Sequence, residues 1–242
     1  MGRTLVIGDI HGGLKGLKQA LKRAEIKTDD HLIFLGDYVD GWSESAPTVE
    51  FLLTLSRKQT CTLLRGNHDD LVYQWLCGAD YNESWMRHGG VATIESYKGY
   101  SEKEKAVHKK FYESLIDYHL DTEYRLFVHA GFQNQSGPEY EYSSVTYYWD
   151  RTLWEMALAM DTSITESDPR YPKRLTHCKE IYIGHTPVTR IGETTPVNIA
   201  TIWNIDTGAA FKGPVTIMDV DTKEYWQSDP VHTLYPEENG RN

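Results

Sequence analysis

The apolar run Leu32-Ile33-Phe34-Leu35 stops abruptly at Gly36 and gives way to two carboxylates, Asp37 and Asp40. The same grammar occurs on either side of it. Upstream, Leu5-Val6-Ile7-Gly8 leads into Asp9-Ile10-His11-Gly12, and downstream Cys61-Thr62-Leu63-Leu64-Arg65-Gly66 leads into Asn67-His68-Asp69. Short continuous apolar runs bounded by turn residues predict buried strands. In open α/β sheets ligands collect at the carboxyl ends of such strands. Three strands therefore present oxygen and nitrogen donors to one rim, and the rim reads as a two-metal site with Asp37 as the bridging ligand.

Between these runs the period changes. Leu14, Leu17, Leu21 and Ala24 recur at helical spacing, with Lys15, Lys18, Lys22 and Arg23 on the other faces, which predicts an amphipathic helix. Ala46 to Leu55 predicts a second helix with Pro47 in its first turn, and Asp70 to Cys77 a third. Strand, acid-bearing turn, helix is the α/β crossover pattern. Ala79 to Tyr118 is mostly helical in character and is expected to cap the sheet, with Met86 to Thr93 as a loop and Ser101 to Tyr118 as a charged helix. Two later strands, Tyr124 to Val128 and Ile181 to Ile183, end in His129-Ala130-Gly131 and Gly184-His185-Thr186. The intervening stretch 132–179 holds Tyr140, Tyr142, Tyr147, Tyr148, Trp149 and Trp154, and a connection of that length predicts a lid. Ala200 to Asp206 and Pro214 to Val220 are expected to pair around a turn from Gly208 to Gly213, and the segment from Glu224 onward to form a surface extension.

Composition narrows the setting. The 242 residues, 40% hydrophobic and 25% charged, suit one globular domain, 1–242. A net charge of -10 argues against general binding to nucleic acid, while leaving room for a local basic pocket around a phosphorylated ligand. Cys61, Cys77 and Cys178 are too few and too widely spaced for a disulfide framework or a zinc motif and suit a reducing compartment. With no secretion-signal pattern before the first strand and no apolar run of spanning length, the expected location is the cytoplasm, away from membranes.

Singly, each strand end has a plain reading: Asp9 and Asp37 as turn or capping residues, His129 and His185 as packed, hydrogen-bonded histidines. Five strand ends in one order outweigh it. That order, Gly8-Asp9-Ile10-His11-Gly12, Gly36-Asp37-Tyr38-Val39-Asp40, Arg65-Gly66-Asn67-His68-Asp69, His129-Ala130-Gly131 and Gly184-His185-Thr186, resembles the calcineurin-like metallophosphoesterases, within them the phosphoprotein phosphatase group. The resemblance implies a four-layer α/β/β/α sandwich with mixed sheets and a helical and loop cap. It also implies two divalent ions, with Asp9, His11 and Asp37 holding one and Asp37, Asn67, His129 and His185 the other. Mixed carboxylate, imidazole and amide donors suit manganese, iron or zinc, with manganese preferred here. Two such ions lower the pKa of a bridging water, so that metal-bound hydroxide is the expected nucleophile. In the family the histidine matching His68 is the general acid and pairs with the acid matching Asp40.

Departures from the pattern matter too. The family's middle motif continues Asp-Arg-Gly, its arginine gripping the substrate phosphate, whereas here Asp40 is followed by Gly41-Trp42. Tyr148-Trp149-Asp150-Arg151 resembles a later phosphate-contacting segment, so Arg151 is the expected grip, with Asn67 also facing the phosphate. Arg65 and Arg87 are weaker stand-ins, and an ion pair with Asp150 or Asp161 is the plain reading of Arg151. Trp42 is free to stack on a flat substrate group or to pack its loop. Gly184-His185-Thr186-Pro187 lacks the second histidine of many phosphodiesterases, which favours the phosphatase or dinucleoside polyphosphate hydrolase side, and Asp206-Thr207-Gly208-Ala209 matches a further segment of that same group. Together these imply a phosphomonoester hydrolase, foremost a protein phosphatase acting on phosphoserine, phosphothreonine or phosphotyrosine. Two alternatives stay open: a dinucleoside polyphosphate hydrolase on the same scaffold, and a catalytically idle binding protein.

Overall fold

Alternation along the strands sorts the apolar residues into three cores. In the first strand, β1 (Thr4–Ile7), Leu5 and Ile7 face one core and Val6 another, and in β2 (His31–Phe34) Leu32 and Phe34 part from Ile33 in the same way. The computed structural model describes residues 2–80 and 82–241; Met1, Tyr81 and Asn242, all within the expected domain 1–242, lie outside the described residues. Between β1 and β2 runs α1 (Leu14–Arg23), and α2 (Ser45–Leu55) leads to β3 (Thr60–Leu63). β1, β2 and β3 are parallel neighbours. Their carboxyl ends therefore lie on one rim, as expected.

The remaining elements complete two five-stranded mixed sheets. After α3 (Asn67–Leu76) come the short α4 (Glu83–Trp85), a wide kinked turn at Met86–Gly90, α5 (Val91–Ser96) and α6 (Glu102–Glu113). These pack on α2 and α3. Then follow β4 (Tyr118–Leu120), β5 (Arg125–Val128), α7 (Val145–Trp149), α8 (Thr152–Ala159), β6 (Glu180–Ile183), β7 (Val197–Ile199), β8 (Ile202–Asn204), β9 (Thr216–Asp219), β10 (Tyr225–Gln227) and α9 (Val231–Leu234). One sheet has the order β10-β9-β1-β2-β3 and the other β4-β5-β6-β8-β7. β5, β6 and β8 are mutually parallel, so the second sheet also delivers its strand ends together. Val6, Ile33, Phe127, Tyr182 and Met218 fill the space between the sheets, while the outer faces are covered by helices. This is the expected α/β/β/α sandwich. Among the described residues no helix is long and apolar enough to cross a membrane.

Four local expectations are corrected. β8 and β9 do not form a hairpin: β8 lies between β6 and β7, and β9 between β1 and β10, so the chain crosses from one sheet to the other. An apolar run marks a buried strand without naming its partner. The third helix starts at Asn67 rather than Asp70, because Asp69 closes its first turn by accepting from Gly66 N at 2.8 Å. The helix beginning after Ser101 ends at Glu113, where Ile116 pairs with Leu64 and Tyr118 enters the second sheet. Finally, the segment from Glu224 is no surface extension. β10 pairs with β9, and the Tyr235 ring stacks on Trp42 with centroids 5.4 Å apart.

Half of the aromatics named for the stretch 132–179 belong to the core. Tyr140 and Tyr142 are exposed, and Trp149, 42% exposed, lies beside His185 at the rim, while Phe132, Tyr147, Tyr148 and Trp154 are buried against the outer face of the second sheet. A sheet face needs cover, and these side chains supply it.

Candidate functional site

At the rim the backbone itself is unusual. His11, Asp37, Asp40 and His185 have φ of 53°, 52°, 71° and 67°, a left-handed conformation rare for residues with side chains. Such strain persists only where surrounding structure holds it. Here His11 N donates to Asp37 O (2.9 Å), Gly12 N to Tyr38 O (2.8 Å) and Trp42 N to His11 O (3.0 Å), lacing the first two motif loops together. The Asp69 carboxylate accepts from Asp37 N (2.8 Å) and Tyr38 N (3.0 Å), tying the third motif to the second. Burial, and then the Asp37 charge, push the Asp69 acid up to about 8. Gly66 has no side chain because a Cβ there would stand 2.1 Å from Asp37 Oδ1.

The six expected metal ligands converge. His11 Nε2 lies 3.6 Å from Asp9 Oδ2 and 3.5 Å from Asp37 Oδ2, and His129 Nε2 is also 3.5 Å from Asp37 Oδ2. Asn67 Oδ1 lies 3.2 Å from His129 Nε2 and 2.9 Å from His185 Nδ1. One carboxylate oxygen of Asp37 thus stands between two histidines. These spacings test the fit of a cation directly. Donors held about 2.0–2.2 Å from a shared ion lie roughly 3.0–3.5 Å from each other. The other ring nitrogens are engaged as metal-ligating histidines require: His11 Nδ1 donates to Val39 O (3.0 Å) and Asp40 O (2.9 Å), and His129 Nδ1 to Leu35 O (2.9 Å). Asp37, His129 and His185 form one cluster that could hold an ion, and His11, Asp37 and His68 another. Asp9 adjoins the second through His11. The donor set fits two divalent ions.

Electrostatics point the same way. Burial disfavours a charged imidazole at His129, yet Asp37 and its neighbouring acids push the pKa up to about 10. Burial also opposes ionisation of Asp37, but His129, His68 and His11 hold it well below the carboxylate range. At Asp206, burial and then the Asp9 charge push the acid up to about 8. Carboxylates crowded in a buried place call for positive charge.

Beside these ligands stands His68, whose Nδ1 lies 2.6 Å from Asp40 Oδ2. The same oxygen accepts Trp85 Nε1 at 2.6 Å, and Asp40 Oδ1 accepts Thr93 Oγ1 at 2.5 Å. Held by these three hydrogen bonds, Asp40 keeps one orientation and fixes the ring of His68. Burial lowers the His68 pKa, with Asp37 and Asp40 pulling the other way. Trp85 and Thr93 had no prominence in the sequence, although the glycine-rich stretch between them marks the turn that brings both to Asp40.

Two adjoining clefts open over this centre. The smaller, with about 360 Å³ of space, exposes His11, Asp37, Asn67 and His68 and is rimmed by Arg151, Arg190 and Arg241. The larger, about 690 Å³, shares Asn67, His68, Arg151 and Arg241 and extends past Leu71, Asn82, Trp85 and Trp149. Arg151 reaches the centre as expected, its Nε 3.4 Å from His185 Nε2. Arg65 and Arg87 do not: Arg65 faces Asp117 (3.7 Å) and Asp70 (3.9 Å), and Arg87 pairs with Glu83 at the surface (3.1 Å). Trp42 is fully buried and donates to Ala209 O (2.7 Å), so it packs its loop and meets no substrate. Arg190, Asp206 and Arg241 join the site without having been singled out for a role.

Comparison with known proteins sharpens the chemistry. A family model, calcineurin-like phosphoesterase, matches residues 2–206. The chain is 29% identical over 231 residues to an asymmetrical bis(5'-nucleosyl)-tetraphosphatase PrpE from Geobacillus sp., with 87% of each chain covered. It is 28% identical to the protein of the same name from Halalkalibacterium halodurans, with 88% of each covered. Among solved structures it resembles a candidate diadenosine tetraphosphatase (TM-score 0.62, 16% identity, 93% of this chain and 92% of that one). It also resembles a protein serine/threonine phosphatase from Saccharomyces cerevisiae (TM-score 0.64, 14% identity, 94% and 80%). The expected protein phosphatase is thereby corrected. Relatives aligned along most of the chain carry a tetraphosphatase name, whereas the likeness to the yeast phosphatase is one of fold alone. With its strand-end donors gathered in the family's order and the family model spanning most of its length, the chain belongs to the calcineurin-like phosphoesterases.

Proposed function

We propose that this chain hydrolyses dinucleoside tetraphosphates asymmetrically, yielding a nucleoside triphosphate and a nucleoside monophosphate, in the presence of two divalent cations, manganese foremost. The observation that carries the reading is the continuity of the two clefts. Arg151 and Arg241 line both, at the junction between a centre rich in metal-type donors and a larger groove bordered by Trp149. A polyphosphate is long and strongly anionic, and guanidinium forks match phosphate geometry. An indole beside the groove offers a face on which a nucleobase stacks. The tetraphosphatase relatives support the same substrate class.

When bound, divalent ions supply Lewis-acid polarisation of the phosphoryl oxygens and lower the pKa of water at the site. Asp9, His11 and Asp37 would hold one, and Asp37, Asn67, His129 and His185 the other. The protein's own groups then act as follows. Arg151 orients the phosphate chain beside His185, and Asn67 holds its amide at the head of the cleft. Water adds to one phosphorus, the phosphoanhydride P–O bond breaks, and the leaving nucleotide departs as a phosphate oxyanion. His68, fixed by Asp40, holds a proton at Nε2 for that oxygen; the negative charge of bound polyphosphate raises its proton affinity. An intact donor set and acid pair argue against the idle-scaffold alternative.

Purified protein with added manganese, given diadenosine tetraphosphate and a phosphoserine peptide side by side, tests the reading. ATP and AMP in equal amounts, formed faster than phosphate from the peptide, is the expected result. ADP as sole product, or preference for the peptide, overturns it.

A further inference from the structure

In the second motif Asp40 is followed by Gly41, whose φ of 123° belongs to glycine. A Cβ placed there would lie 3.2 Å from His11 O and 3.4 Å from Cγ of Arg241. The place beside His11 that a side chain at position 41 would enter is thus filled from the other end of the described chain. We propose that Arg241 binds a phosphate group of the substrate, so that a distant segment supplies the guanidinium that the second motif lacks.

Several independent features hold Arg241 there. Tyr235 stacks on Trp42 at 5.4 Å with a 21° interplanar angle. Ser43 N and Oγ donate to Glu238 at 2.9 and 2.7 Å, and a Cβ on Gly240 would stand 2.6 Å from the Trp42 ring. Arg241 N donates to Ala210 O (2.9 Å), and its guanidinium carbon lies 5.4 Å from the Phe211 ring centroid. Trp42 therefore anchors the segment whose last turn delivers the arginine. Position 41 stays small, and position 42 carries the bulk.

Beyond the Phe211 ring the guanidinium has no hydrogen-bonded partner among the described residues. Nε of Arg241 is buried and makes no hydrogen bond, and among the described residues no carboxylate lies within ion-pair distance of it. Buried polar groups are almost always satisfied, and a buried N–H left unpaired is costly. Next to a centre built for divalent cations the cost grows, unless an anion lies between them. Arg241 lines the cleft together with His11, Asp37, Asn67 and His68, where a phosphate would meet both. A fixed planar fork fits two phosphate oxygens at once.

This rests on the phosphoester reading of the cleft but not on which ester is hydrolysed, so inorganic phosphate is the probe. Phosphate affinity is measured by calorimetry on manganese-loaded protein, with metal content and thermal midpoint recorded for each variant. Arg241→Met keeps the stem against Phe211 and removes the charge; Arg241→Ala removes both; Arg241→Lys restores charge without the fork. Expected are a roughly tenfold or greater weakening for Arg241→Met and Arg241→Ala and partial recovery for Arg241→Lys, at unchanged metal content. Wild-type phosphate affinity in folded Arg241→Met, with only its thermal midpoint lowered, would mean the arginine is a structural staple and would overturn the proposal. Inability to cleave tetraphosphates alongside a normal phosphate shift would fail the substrate reading alone.

Discussion

Asp40 Oδ2 lies at the same 2.6 Å from His68 Nδ1 and from Trp85 Nε1, so one carboxylate oxygen joins the acid pair to a helix from the cap. Trp85 donates to that oxygen and makes no ligand contact with the cation site. Trp85→Phe keeps an aromatic ring in this buried place but removes the N–H together with part of the indole volume. Asp40 then loses one of the bonds that hold its orientation. We expect kcat to fall by about tenfold, the scale of one charge-assisted hydrogen bond, with KM and metal content nearly unchanged. Steady-state kinetics with elemental analysis would check this; a loss of metal would show that Trp85 acts on the fold instead.

The chemistry of the leaving group sets what His68 contributes. An alkoxide is strongly basic and departs only with a proton, whereas a nucleotide phosphate is weakly basic and departs more readily without one. His68→Asn should therefore lower kcat on an alkyl phosphate by about 10²–10⁴-fold and on a dinucleoside tetraphosphate by distinctly less. Equal losses on both substrates would deny a proton-donor role.

Asp37 Oδ2 stands 3.5 Å from both His11 Nε2 and His129 Nε2, where it would serve both of two bound ions. Asp37→Asn halves the donor strength at both positions at once. Elemental analysis is expected to show both ions depleted, while Asn67→Ala, on one side of the pair, depletes one in preference. Because ions bind the folded state, manganese should also raise the wild-type thermal midpoint, and the Asp37→Asn midpoint far less. Equal manganese shifts in the two proteins would remove Asp37 from the centre.

How much of this could be read in advance follows from where each residue sits along the chain. Asp9, His11, Asp37, Asn67, His129 and His185 each close a short apolar run, so strand pattern and donor chemistry coincide locally and the rim was legible. Trp85 and Thr93 meet Asp40 across separations of 45 and 53 residues, through a kink whose His88 and Gly89 leave helical geometry. No local period encodes that approach. Arg241 lies in a polar stretch with no pattern at all, and contacts distant in sequence, the Trp42–Tyr235 stack among them, bring it back to the centre. Likewise β8 and β9 read as plain buried strands, and their separation into two sheets is a property of packing.

At the opposite end of β1 and β2 from the site, the Asp30 carboxylate is fully buried and accepts from Arg3 Nη2 (2.6 Å), Arg3 N (3.0 Å) and Lys27 N (2.8 Å). Burial disfavours its charge, but these donors win and hold its pKa below the ordinary carboxylate value. The unfolded chain therefore binds the proton first as pH falls. The stabilisation is complete above the unfolded pKa of about 3.9 and is lost as pH drops through the folded value. Asp30→Asn should cost roughly 1–3 kcal/mol at neutral pH, with Arg3 partly exposed and its share screened. The gap to wild type should begin to narrow as melts are run to pH below about 3.9. A gap constant over that range would place the effect in shape rather than charge.

Trp42 offers the sharpest test of how the far segment is held. Its ring is fully buried, its N–H donates to Ala209 O, and its face carries Tyr235, so truncation leaves a large cavity and an orphaned carbonyl together. Trp42→Ala should cost about 3–5 kcal/mol in denaturant unfolding. Trp42→Phe keeps an aromatic face for Tyr235 but loses the N–H and part of the indole volume, so it should cost less, roughly 1–3 kcal/mol. Both variants lose the N–H, so the difference between them measures what an aromatic ring at this position contributes. Should the two variants unfold at the same denaturant concentration, the stack on Tyr235 would contribute little, and residues 235–241 would have to be held by Glu238 and the Ala210 carbonyl instead.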